Sequence, residues 1–280
     1  MEPPHSDSEP REDPALSRVV PFDPVLAERL ERPSDVRELY LPEASPYRPI
    51  VTGDLFQGLG VGDLTSEDPD HGLAMVVAHP SAMRKGATLS ARTRAAPVTP
   101  VADLSKRSWR PGFYEVFQLP RLRSVAKGNR FEIADEAWGA LLQEAAPIPT
   151  DELDVRRRIA CLSSKGIHYL LHYLVHSDTR VAVRVDTIAL TFAPKLEEIQ
   201  LLEAWNEEFA KSQVAAGGAL RTVLEREAER FEAVMGEPPV PGGKSVRDLI
   251  AGGSERGVAR RYFWSAVRQR HAESGNTSRG

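Results

Sequence analysis

The sequence predicts an α+β protein in which a small β-barrel is followed by a helical region and preceded by a disordered arm. Three observations support this prediction. Short apolar segments with strand-like patterns, separated by Gly and Pro turns, follow one another from residue 49 to residue 119. Longer segments with helical periodicity occupy the chain from residue 195 onward. The first 46 residues contain nine prolines and little apolar surface.

We therefore divide the chain into an acidic, Pro-rich arm (1–46), a barrel-like domain (47–180) and a helical region (181–280). The arm has eleven acidic residues against five arginines. Its few apolar residues cannot offset the entropy lost on ordering, so we expect it to be disordered. Its net charge of -6 leads to the hypothesis that the arm screens basic surface elsewhere in the same chain.

Each element is predicted from its own pattern. The continuous apolar run at 73–78, stopped by Pro80, is typical of a strand buried on both sides. Ser163 or Ser164 provides an N-cap for a helix that runs to about Ser177. The stretch 180–188 fits a strand or a helix equally well. In all, we expect strands over 49–56, 73–78, 87–101, 112–119 and 156–162, and helices over 135–145, 164–177, 195–213, 220–235 and 254–271.

Composition restricts the class of protein. The chain is 41% hydrophobic, which is enough for a real core, but no apolar run approaches the roughly 18–20 residues of a membrane helix. The acidic N-terminus does not resemble a signal peptide. Cys161 is the only cysteine, so an internal disulfide and a cysteine-based zinc cluster are excluded. We expect a cytoplasmic protein without a membrane partner, in which Cys161 is a small buried hydrophobe.

Positive charge is concentrated between residues 84 and 130. This segment has eleven basic residues and two acidic ones, a net charge of +9 in a chain of net charge -4. Such a field attracts polyanions, and the bases alternate with strand-like apolar residues. We expect RNA or another polyanion to bind Arg84, Lys85, Arg92, Arg94, Lys106, Arg107 and Arg110. The alternative is a solvated loop surface that acidic segments elsewhere balance.

The stretch from His79 to Arg84, HPSAMR, directly follows the predicted buried strand. Its position predicts that His79, Ser81 and Arg84 lie at a strand end, where a histidine can transfer a proton and an arginine can hold a phosphate. The alternative is a strand terminator in which Ser81 caps a turn and Arg84 faces water.

Four short motifs occur in a fixed order. They are the step Gly53-Asp54, the apolar strand after Gly72, the step Pro97-Val98-Thr99 and the Arg-rich stretch 157–163. In this order, over about residues 49–176, the chain resembles the MazF/PemK family of toxin endoribonucleases. The resemblance implies an SH3-like barrel with a C-terminal helix, and RNA cleavage without a metal or other cofactor, in a toxin–antitoxin or antiviral-defence role.

Only Thr99 carries over at a position that the family uses in catalysis. The family's catalytic arginine comes directly before the apolar strand, where this chain has Leu73. We therefore expect RNA binding first, with a cleavage step that would use Thr99 and His79 for proton transfer and Arg84, with Arg94, at the phosphate. The alternative is a non-catalytic barrel that docks nucleic acid, a protein partner or a second copy of the chain within a larger complex.

Three further patterns have structural interpretations. His168, His172 and His176 recur every four residues, but no acidic residue stands between them, so a partly buried stripe is favoured over a zinc site. The segment 242–245, GGKS, follows a helix rather than a strand and is interpreted as a linker with a Ser cap. The arginines of the last predicted helix either bind nucleic acid or an acidic partner, or pair with the acidic helices between 195 and 232; pairing is favoured.

Overall fold

The computed structural model describes residues 33, 35–61, 72–101, 115–122, 137–238, 240–253 and 255–277. Over these residues the protein is α+β, as predicted, with an antiparallel sheet that curls into a half-barrel and a helical C-terminal region. Residues 1–32 of the predicted arm lie outside the described residues, as does 34.

The strands in the described residues are β1 (Asp54–Gln57), β2 (Leu73–Val76), β3 (Arg84–Lys85), β4 (Thr88–Leu89), β5 (Arg92–Pro100), β6 (Val116–Gln118), β7 (Trp138–Leu141), β8 (Ala146–Pro149) and β9 (Arg158–Cys161). Six of these nine strands overlap the predicted positions, and β3, β7 and β8 were not predicted as strands. The helices are α1 (Pro80–Met83), α2 (Ser164–Thr179), α3 (Val185–Ala215), α4 (Leu220–Gly236), α5 (Val246–Ala251) and α6 (Arg256–Thr277).

Strand β5 organises the sheet, whose strand order is β6-β7-β5-β2-β1-β9. One edge of β5 pairs with β2, with Leu73 opposite Val98. Its other edge pairs first with β8, from Arg92 to Ala95, and then with β7, from Val98 to Pro100. Two different strands thus share one edge of β5 within the curled sheet.

The helix predicted over 135–145 is wrong for the part that the structure describes. Residues 138–141 form β7, and a 3-10 turn at Leu142–Glu144 follows. Ala140 lies opposite Val98 on one side and Phe117 on the other, so β7 is an interior strand whose ladder bonds outweigh helix propensity. Gly139 is needed because a Cβ there would lie 2.5 Å from a methyl carbon of Val116.

Residues 35–46, which the sequence placed in the arm, pack on the sheet. A 3-10 turn at Val36–Leu39 begins at the Asp35 cap, and the Leu39 side chain is fully buried in the main core. Tyr40 forms a β-bridge with Leu162. The structure therefore extends further toward the N-terminus than the proposed boundary at 46, because these few apolar side chains fill the space beside α2.

Helices cover one face of the sheet and then build a second core. Helix α2 starts at Ser163, whose hydroxyl accepts a hydrogen bond from the Gly166 backbone amide (3.1 Å), as the sequence predicts. Of the ambiguous stretch 180–188, residues 185–188 form the start of helix α3, and residues 180–184 form the connection before it. The second core centres on three fully buried aromatic side chains from three helices, Trp205, Phe231 and Phe263.

The β3–β4 hairpin joins the sheet to the helices. The Ala87 amide donates to the carboxylate of Glu232 on α4. Arg247 on α5 donates to the other Glu232 oxygen (2.7 Å) and to Glu198 on α3 (2.9 Å). Gly86, with a φ of +62°, lies directly against the Glu232 carboxylate.

Two arginines of α6 contact α3, and one of them pairs with an acidic side chain as the favoured interpretation predicts. Arg260 forms an ion pair with Glu197 of α3, and the Arg270 guanidinium lies 5.2 Å from the centre of the Trp205 ring. The basic helix therefore packs against its acidic neighbours. In the described part of the chain, no helix combines the length and the apolar character needed to cross a membrane.

Candidate functional site

His79 caps helix α1. Its Nδ1 accepts a hydrogen bond from the Ser81 amide (3.2 Å), and its ring packs edge-on against Phe192 with 4.6 Å between ring centres. The cap of this turn is thus His79 and not Ser81. Partial burial lowers the pKa of His79, which favours the neutral imidazole. His79 and Ser81 line a cavity of about 320 Å³, together with Lys195 and other residues of the helical region.

Arg84 is buried, with 6% of its surface exposed. Its Nε donates to the Ile50 carbonyl oxygen (3.0 Å), and its Nη1 donates to the Ala87 carbonyl oxygen. Burial lowers the pKa of Arg84 to about 10, so the group is still a cation at neutral pH. Arg84 therefore neither faces water nor lies on an open phosphate-binding surface; it lines a separate cleft of about 670 Å³.

Thr99 lies far from both. It pairs with Gly139 near the end of β5, while the Val77 amide, two residues before His79, bonds to the Arg94 carbonyl near the start of β5. Thr99 is five positions beyond Arg94 along the strand, a distance of about 17 Å at 3.3–3.4 Å per residue. Thr99 lines neither cavity. The structure thus does not bring Thr99, His79 and Arg84 together.

Leu73 occupies the position at which the MazF/PemK resemblance would require an arginine. It is the first residue of β2, is 6% exposed and belongs to the main apolar core. A leucine there stabilises the sheet by burial of its side chain. The described geometry gives this position no access to a bound phosphate.

The exposed cations of the basic segment lie on strands. Lys85 and Arg92 are exposed, and neither has a carboxylate partner among the described residues. Arg92 donates to the Pro147 carbonyl oxygen (3.3 Å). Arg94 is 42% exposed at its side chain and lies 3.9 Å from the Asp178 carboxylate. Because Arg92 and Arg94 are two residues apart on β5, they share one face. Lys106, Arg107 and Arg110 lie outside the described residues.

Sequence reasoning missed a buried ion pair between Asp54 and Arg158. Their side chains are 0% and 1% exposed, and Nη1 of Arg158 lies 2.9 Å from Oδ2 of Asp54. Arg158 also donates to the carbonyl oxygens of Ser45, Arg48 and Pro49, at 2.6, 3.0 and 3.3 Å. The pair thus joins β1, β9 and the segment before β1. Both partners lie in motifs of the sequence, Asp54 in the Gly53-Asp54 step and Arg158 in the Arg-rich stretch 157–163, but no local signal pairs them.

Cys161 and the histidine stripe have structural roles. Cys161 is buried as predicted, and burial raises the pKa of its thiol. His172 is 1% exposed, with its Nδ1 2.6 Å from the Val183 carbonyl oxygen. Burial lowers the pKa of His168 and of His176. His168 and His176 are half-buried, so the three histidines form a partly buried stripe. No group of three or more His, Cys, Asp or Glu side chains in the described ranges is placed to hold a metal.

The predicted site residues are therefore divided among separate places: a small cavity at His79, a larger cleft at Arg84, and a strand end at Thr99. Comparison of the chain with protein-family models, with characterised proteins and with solved structures found no match. The proposals that follow rest on the chain's own residues.

Proposed function

We propose that the protein binds RNA through the basic segment that contains Lys85, Arg92 and Arg94. One observation supports this most directly: these cations project from strands, and no carboxylate of the described residues approaches them closer than the 3.9 Å between Arg94 and Asp178. Three arginines of the helical region, Arg230, Arg247 and Arg260, by contrast pair with acidic side chains. Cations that are held on strands and are not neutralised by a nearby carboxylate attract the phosphates of a nucleic acid.

The proposal concerns binding and not cleavage. Cleavage without a metal needs a base, an acid and a cation around one phosphate. His79 and Thr99 lie near opposite ends of the β2–β5 ladder, and Arg84 is held by two backbone carbonyl groups. The separation of these groups supports a non-catalytic module over a MazF/PemK-like endoribonuclease.

We also propose that the curled sheet is a variant of the SH3-like barrel. The support is the long strand β5, which pairs with β8 at one end and with β7 at the other. A location in the cytoplasm is proposed from the single, buried cysteine. A protein partner, or a second copy of the chain, is the competing occupant of the basic surface.

Binding is tested by fluorescence anisotropy with a labelled single-stranded RNA, in EDTA, over about 50–200 mM salt. We expect affinity that falls steeply with salt. The double variant Arg92→Ala/Arg94→Ala should weaken binding and lower the slope of log K against log salt by about 1.4, because each phosphate contact on a single strand contributes about 0.7.

The matched control is Arg37→Ala/Arg221→Ala, which removes two arginines that each pair with a carboxylate. It should leave both affinity and slope unchanged. Absence of binding at the lowest salt would overturn the proposal and favour a protein partner. RNA fragments that disappear in Thr99→Ala would restore the catalytic interpretation.

A further inference from the structure

A second cleft lies between the β3–β4 hairpin, the turn at 150–155 and helices α3 and α4. Its volume of about 670 Å³ falls within the range of roughly 300–1,000 Å³ that small-molecule sites occupy. The walls are mainly apolar and include Ile50, Leu153, Leu202, Leu220 and Leu224. Arg92, Arg94 and Lys85 do not line the cleft, so it is separate from the proposed RNA surface.

Several buried polar side chains line the cleft, and each has a donor or acceptor atom without a hydrogen-bond partner among the described residues. Arg84 uses Nε and Nη1, but its Nη2 donates to no atom of the described residues. Asn206 is 4% exposed; its amide donates to the Tyr47 carbonyl oxygen (2.9 Å), whereas its Oδ1 has no donor. Arg48 is 7% exposed, and its Nε has no acceptor. Such groups are costly to bury unless a ligand or water completes their bonds.

Arg84 is a buried cation of the cleft without a carboxylate at ion-pair distance in the described residues, although the carboxylates of Asp54, Glu198 and Glu232 act on it from further away. Arg48 is neutralised by Glu203, with Nη1 3.1 Å from the carboxylate. Arg84 has only backbone oxygens as partners, and within the described ranges no carboxylate lies at ion-pair distance from it. A single cation in an apolar setting matches a ligand with one negative charge.

Among the other charged residues of the lining, acidic side chains outnumber basic ones. Arg156 pairs with Asp154 at 2.8 Å, and Arg221 pairs with Glu225 at 3.0 Å. Asp151 and Glu229 also line the cleft, are exposed and have no cationic partner in the described part of the chain. This acidic excess repels polyanions and orients a monoanion with its charge inward.

We propose that this cleft binds a small organic acid, with its carboxylate on Arg84 and its apolar body along Leu153, Leu220 and Leu224. The guanidinium supplies the charge-assisted hydrogen bond, and the leucines supply apolar contact area. Nucleotides and other polyanions are excluded by the acidic lining. The protein would thus bind a small organic acid at a site separate from the RNA surface.

Isothermal titration of the full chain tests this with octanoate as the probe and 1-octanol as its neutral counterpart. We expect octanoate to bind at least about tenfold more tightly, because a hydrogen bond to a charged group contributes that factor or more. Arg84→Met, which keeps an unbranched side chain and removes the charge, should abolish the difference. Equal affinity of the native protein for octanoate and octanol would overturn the proposal.

Because Arg84 also anchors two backbone carbonyl groups, Arg84→Met can fail for reasons of folding. Leu224→Trp leaves Arg84 in place and fills the cleft from a half-buried position on α4. Its matched control is Leu190→Trp, at a side chain that is 76% exposed on α3 and outside the cleft. Octanoate binding should fall at least tenfold in the first variant and persist in the second. Equal binding by the two variants would exclude this cleft as the site.

Discussion

Replacing Asp54 by asparagine tests the buried ion pair that joins β1 to β9. The change keeps the shape of the side chain but removes its charge, so the buried Arg158 guanidinium loses its ion-pair partner and keeps only neutral oxygens as hydrogen-bond acceptors. Removing one partner of a fully buried pair costs about 3–5 kcal/mol. At roughly 2–4 °C per kcal/mol for a domain of this size, we expect the melting temperature to fall by roughly 6–20 °C.

Urea denaturation followed by circular dichroism measures the free energy of unfolding directly. Glu225→Gln is the matched control, because it makes the same carboxylate-to-amide change in a pair of similar length (3.0 Å) whose side chains are 64% and 65% exposed. That pair contributes about 0.3–0.5 kcal/mol. If Asp54→Asn costs no more than Glu225→Gln, the pair does not hold the sheet in the way described.

Two further predictions concern helix α2 and the turn before β1. Burial lowers the pKa of His168 and His176, so the unfolded chain binds more protons, and the free energy of unfolding should fall as the pH drops from about 6.5 through the folded-state pKa values. His168→Gln should flatten this dependence in thermal melts between neutral pH and about pH 5; an unchanged slope would contradict the assignment. Gly53→Ala should destabilise the protein by more than about 1 kcal/mol in urea, since φ is +86° and the new Cβ would lie 2.6 Å from Leu162. Gly217→Ala, at φ +96° in open space, is the control and should cost less.

The fold class was predictable because its main signals are local. The apolar run at 73–78 is long enough to identify a strand buried on both faces, and the periodicity after residue 195 identifies the helices. Strand β7 was not predictable in this way. Its residues have a helical pattern, and only the strands on either side, β5 and β6, make it extended.

The candidate sites were less predictable, because they depend on contacts between distant parts of the chain. Arg84 belongs to a charge-rich stretch, and nothing local indicates that α3 and α4 cover it. The partners of Arg158 lie 104–113 residues away. Only His79, at the end of a strand that the sequence identifies, could be placed beside a cavity from pattern alone.

The bond from Glu232 to the β3–β4 hairpin has a consequence for how the chain is made. Glu232 accepts a hydrogen bond from the amide of Ala87, which lies 145 positions earlier in the chain. Strands β1 to β5 therefore leave the ribosome long before α4 does. Chains fold from the N-terminus as they emerge, at about 5–20 residues per second. For several seconds the hairpin therefore has no helix α4 to pack against, and the Arg84 side chain stays in contact with water. Nascent chains arrested before residue 232 should be cut by protease within 84–89, whereas released chains should resist.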